Sequence, residues 1–227
     1  MFKNFFKTTT GLLLVPVAIA TARAFYLQIS SLSGFSNALL ILERGVFSYL
    51  LFHVLVMRPV YLYVFGHEIV HVLATWMCGG RVESFNAGRS GGNVATSKTN
   101  FFIELSPYFV PFYTLLLGPV FMLIRAMIKF APDLSSVFLF LVGFTLAFHF
   151  VMTTEVLKMK QPDIVRSGIV LSFVVIFVFN LIITLAVFCP FFSTLSFLTF
   201  IKSIAAYSAQ VYVLIFDHVS RILLATP

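Results

Sequence analysis

Six apolar runs, each close to the thickness of a bilayer core, decide what this chain can fold into. They fall at about 10–29, 36–57, 59–78, 102–128, 134–156 and 164–189. Crossing a hydrocarbon layer as a helix takes roughly 20 apolar residues. A backbone in lipid must satisfy its own N–H and C=O groups, so only helices and closed barrels span it. The runs predict an all-α polytopic integral membrane protein of about six transmembrane helices, with no separate soluble domain. Composition agrees: 60% of the 227 residues are hydrophobic and 10% are charged, where a soluble domain averages about 25% charged.

The formal charge of +7 comes from 15 Lys and Arg scattered mostly at the ends of the apolar runs. There they read as interface anchors, not as a nucleic-acid surface, so the expected surroundings are the lipid bilayer, with no nucleic acid. They set no orientation. With the 79–100 loop taken as cytoplasmic, six lie on that side and five, Lys3, Lys7, Arg58, Arg125 and Lys129, on the other. Cys78 and Cys189 form no framework and read as small apolar residues. The N-terminal "MFKNFFKTTTGLLLVPVAIATARA" imitates a signal peptide, but apolar character continues through "FYLQI", so a retained membrane helix is expected.

Three regions are expected: 1–58, with N-terminal transmembrane segments; 59–189, a core; and 190–227, a C-terminal amphipathic helix. Within 195–224, Thr199, Lys202, Ser203, Gln210, Asp217, Ser220 and Arg221 share one arc of a helical wheel. That pattern suits a helix lying in the membrane interface. In "ELSPYFVPFYTLLLGPV", Pro107, Pro111 and Pro119 predict a bent segment. The long polar interruption "GGRVESFNAGRSGGNVATSKTN", residues 79–100, reads as two extended pieces, about 81–86 and 93–97, joined by a glycine-rich turn.

Inside the third run, "YVFGHEIVHVLATWMCGG" carries His67, Glu68 and His71 within five residues. On a helix, residues four apart lie on one face a turn apart, so both imidazoles can meet one Zn²⁺. Glu68, about 100° round the axis, can reach water beside the ion without being a ligand, the position of a general base. The bland alternative is three helix-facing polar residues bonded to neighbouring helices. It must explain an acidic residue near mid-membrane, which costs roughly 2.5–3.5 kcal/mol and marks function by default.

The stretch "FGHEIVHVLATWMCGGRV", followed by a glycine-rich polar loop and a proline-bearing apolar segment, resembles the site-2 protease family of intramembrane zinc metalloproteases. The likeness covers about residues 59–188 and is specific at the motif. It implies zinc-dependent hydrolysis of peptide bonds in membrane-anchored protein substrates, and a third metal ligand that is an aspartate on a later core helix. The family commonly has Asn-Pro and then Asp-Gly there; this chain has "KMKQPDIVRSG". Asp163 is the best match, with His149 and Glu155 as the other candidates. As an ordinary residue, Asp163 would cap a helix starting at Ile164. His53 and His218 read as structural or interfacial.

The resemblance also implies a small β-structured insertion in the 79–100 loop. An exposed strand there, carrying Asn93, Val94, Ala95 and Thr96, can pair with an unwound substrate segment; a plain connecting loop is the alternative. Two rival functions stay open: a metal-ion or proton transporter using the histidine pair, which would need further ionisable groups along a path, and a non-catalytic partner-binding relative.

Overall fold

The structure, a computed structural model, describes residues 2–32, 36–128 and 134–225. Residues 33–35, between the first two apolar runs, and Lys129 lie outside these residues. The protein is an all-α polytopic fold with one small antiparallel sheet. Among the described residues five helices are long and apolar enough to cross a membrane, or six if one bent pair counts as a single span.

In chain order the elements are α1 (Phe2–Ser30), α2 (Asn37–Leu55), α3 (Val60–Met77), β1 (Val82–Gly88), β2 (Gly91–Thr96), α4 (Phe101–Leu105), α5 (Phe112–Met127), α6 (Ser135–Leu157), α7 (Pro162–Ser167), α8 (Ile169–Phe188) and α9 (Phe197–Ala225). Boundaries follow local chemistry. Ser36 caps α2 by accepting from the Leu39 N–H. Pro59 precedes α3, where a missing N–H costs nothing. Beyond Cys78 the chain turns at Gly79, whose φ of 69° belongs to the left-handed region that favours glycine after a helix.

The expected bend is present and sharp. Phe101–Tyr108 and Phe112–Met127 meet at 77°. Pro111, with no N–H, ends one piece and starts the next, and Pro107 sits in a 3₁₀ turn, Ser106–Tyr108. Pro119 is carried inside α5. The last expected run, 164–189, is interrupted instead at Gly168, whose φ of 94° separates α7 from α8.

The chain divides into two compact units, residues 35–166 and residues 1–34 with 167–227. In the unit of residues 35–166, α2 packs on α6. Gly45 and Gly143 make that possible, since a Cβ at Gly45 would strike the Phe140 carbonyl and one at Gly143 the Leu42 carbonyl. Tyr49, Tyr63 and Phe148 form a buried hydrophobic core with Ala147 and Met152.

In the other unit, α8 and α9 both pack against α1. A Cβ at Gly11 would sit 2.6 Å from the Leu171 backbone nitrogen. α9 carries the expected polar stripe and runs antiparallel along α1: Phe200 meets Phe25, Arg23 lies 4.3 Å over the Tyr207 ring, and the Tyr212 hydroxyl donates to the Leu13 carbonyl at 2.5 Å. Its length and apolarity also suffice for a span.

Candidate metal centre

The centre is built on the second and third turns of α3 within the unit of residues 35–166. His67, His71 and Asp163 each offer a ligand atom, and these atoms lie within 4.8 Å of one another. His71 Nε2 is 3.5 Å from Asp163 Oδ2. Two ligands at ~2.0–2.1 Å from one tetrahedral ion sit about 3.4 Å apart, so the spacing suits a shared cation.

His71 is oriented by its other nitrogen. Nδ1–H donates to the Ile103 carbonyl at 2.8 Å, so Nε2 is the nitrogen facing Asp163: a donor to it in the imidazolium, a lone pair available to a cation in the neutral ring. Ile103 is itself placed by Asn100, whose side chain caps α4 by accepting from the Ile103 N–H at 2.9 Å. A backbone carbonyl on the remote nitrogen is a common way to orient a metal-ligating histidine. His67 lies against the rings of Tyr63, His71 and Tyr108, and its buried Nδ1 has no hydrogen-bond partner among the described residues. Two imidazoles, one nitrogen unsatisfied, facing a carboxylate form a donor set that could hold a metal ion.

Asp163 lies in the first turn of α7. Its Oδ2 faces His71 and accepts from the Tyr108 hydroxyl at 3.3 Å. Burial pushes its carboxyl up, but the His71 hydrogen bond, the charges of His71 and His67 and the Tyr108 hydroxyl outweigh it and hold the group below the usual carboxylate range. It therefore stays ionised, as a ligand must. The other candidates for third ligand are placed elsewhere. Glu155 faces His53 Nε2 at 3.3 Å and Arg58 at 3.6 Å. His149 is buried on α6, outside the group. His53 bonds through Nδ1 to the Tyr49 hydroxyl at 3.0 Å. His218 is exposed on α9.

Glu68 is 6% exposed and lines, with the three ligand candidates, a cavity of about 370 Å³. The hairpin forms the facing wall. β1 and β2 pair in register Phe85↔Val94 and Ala87↔Gly92, with a bulge near Glu83 and only Arg89 and Ser90 in the turn. The strands are thus longer, and the turn tighter, than the expected 81–86 and 93–97. The hairpin folds back along α3: Phe85 meets Phe65 ring to ring at 5.9 Å, and Gly92 rests on Glu68. A Cβ at Gly92 would lie 2.6 Å from Glu68 Cγ and Oε1.

Of the four residues expected to meet substrate, Asn93, Val94 and Thr96 line the cavity. Ala95 pairs with Ser84 and does not. Sequence reasoning passed over Tyr108, Gly92 and the Asn100–Ile103 support. Asn100 had a signal, an Asn immediately before the apolar "FFIEL". Tyr108, in the quoted proline segment, had only a hydroxyl in an apolar run.

No protein-family model, no curated protein and no solved structure matches this chain.

Proposed function

We propose that this protein is an intramembrane zinc metalloprotease, a multi-pass membrane enzyme hydrolysing peptide bonds in or near the transmembrane segments of membrane-anchored proteins. The observation that carries the reading is the convergence of His67, His71 and Asp163 beside a buried carboxylate, Glu68, that is not one of them. Two imidazoles and a carboxylate are a ligand set that catalytic zinc uses, with one position left open. Bound there, it supplies Lewis-acid chemistry and makes water a nucleophile near neutral pH.

The chain's own residues do the rest. Glu68 accepts the proton of the attacking water and returns it to the leaving amine nitrogen, so peptide and water become a carboxylic acid and an amine. The Tyr108 hydroxyl and the Ile103 carbonyl hold Asp163 and His71 in place.

The β2 strand offers the substrate an edge. Backbone outside helices is tolerated at membrane depth only where protein buries it or a water-filled cavity receives it, and β2, not β1, lines the cavity. Pairs in an antiparallel ladder alternate between bonded and non-bonded. With the two-residue turn closed by Gly88 and Gly91, Ala87↔Gly92 and Phe85↔Val94 are the non-bonded pairs. The N–H and C=O of Gly92 and Val94 therefore point away from β1. A substrate segment paired to that edge lies beside Glu68.

Glu68→Gln tests the reading. It should keep zinc and fold, because Glu68 is not a ligand, and lower cleavage of a single-span reporter by about 10²–10⁴-fold. Cleavage equal to the parent's would end the mechanism.

A further inference from the structure

A second recess in the unit of residues 35–166, a groove of about 560 Å³, is walled by aromatic and aliphatic side chains. Tyr49 and Phe52 come from α2, Tyr61 and Leu62 from α3, Phe144 and Phe148 from α6. Its shape is held by the Tyr113 hydroxyl, which donates to the Leu62 carbonyl at 2.6 Å. Two guanidiniums border this apolar wall: Arg58, just before α3, and Arg89, in the turn of the hairpin. The hairpin folds back along α3, so Arg89 reaches the same groove as Arg58 instead of lying on the opposite side expected for the 79–100 loop. Arg58 is 68% exposed and 3.6 Å from Glu155, a carboxylate that also faces His53. Arg89 is exposed. One shared carboxylate against two arginines leaves the rim positively charged.

We propose that this groove binds an anionic phospholipid, its phosphate between Arg58 and Arg89 and one acyl chain along the aromatic wall. Arginine presents a planar fork of donors that matches phosphate oxygens, and anionic headgroups gather at basic side chains near the membrane surface. An acyl chain can lie along this wall while the headgroup meets the two guanidiniums, so one ligand satisfies both the apolar lining and the charged rim. Arg89 is three residues from Gly92, so an occupied groove ties the hairpin tip to the start of α3. The binding site itself does not rest on the proteolytic reading.

The test is native mass spectrometry of the full chain in detergent, titrated with phosphatidylglycerol and with phosphatidylcholine of identical acyl chains. The parent should hold one phosphatidylglycerol at least tenfold more tightly than phosphatidylcholine. Arg58→Gln with Arg89→Gln should bring the two lipids level, and Leu62→Trp, which fills the groove, should weaken both. Glycerophosphoglycerol, the headgroup without chains, should compete at least a hundredfold less well than the lipid. Equal binding of the two lipids by the parent would overturn the proposal whatever the variants do. So would undiminished phosphatidylglycerol binding by the double variant, competition by the headgroup as strong as by the lipid, or displacement of the lipid by a single-span peptide.

Discussion

At residue 92 a single hydrogen atom sets how close the hairpin comes to Glu68. A methyl group there would lie 2.6 Å from Glu68 Oε1, and the carboxylate would have to swing aside. Gly92→Ala should therefore leave zinc binding at the parent level and reduce cleavage toward that of Glu68→Gln, within the ~10²–10⁴-fold range of a general base. Zinc content and reporter cleavage measured on one preparation check it; unimpaired cleavage would mean that Glu68 needs no such placement. Tyr108 acts one step further out. Tyr108→Phe keeps the ring against His67 and removes the hydroxyl from Asp163. Loss of such an outer partner typically costs about 10–100-fold in metal affinity, measurable by competition against a zinc chelator dye. Legibility at this scale depended on spacing. His67, Glu68 and His71 announce themselves because one helix turn relates them. Tyr108 and Gly92 reach the site through tertiary contacts, and nothing in their neighbours' sequence marks those contacts.

Elements show the same division. The bend at Pro107–Pro111 was readable because proline acts on its own backbone. The break at Gly168 was not, since a lone glycine in an apolar run more often continues a membrane helix. That break makes α7 a separate short helix whose first turn presents Asp163 to His71. The hairpin makes its own prediction. Val94→Pro deletes an N–H that points away from β1, so the β1–β2 ladder should survive, as proline is tolerated on edges. Zinc binding should be unchanged while cleavage falls at least tenfold, and Val94→Ala, which keeps the N–H, should cleave like the parent. Equal cleavage by the proline and alanine variants would show that β2 does not pair with substrate.

For the whole molecule, the apolar runs made the polytopic all-α fold legible, because lipid leaves the backbone few choices. The grouping of helices was not legible. Gly45 and Gly143 bring α2 against α6, and Gly11 brings α1 against α8, so partners are selected by where small residues meet across the chain. The unit of residues 35–166 contains every residue of the metal centre. The central claim is that this centre holds a zinc ion used for peptide hydrolysis. Elemental analysis of the purified full chain, run beside cleavage of a single-span reporter, tests it most directly. The account predicts one zinc per chain in the parent and in Glu68→Gln, cleavage by the parent alone, and loss of both zinc and cleavage in Asp163→Ala. A parent that takes up no zinc, or an Asp163→Ala variant that keeps full zinc and full cleavage, would contradict it.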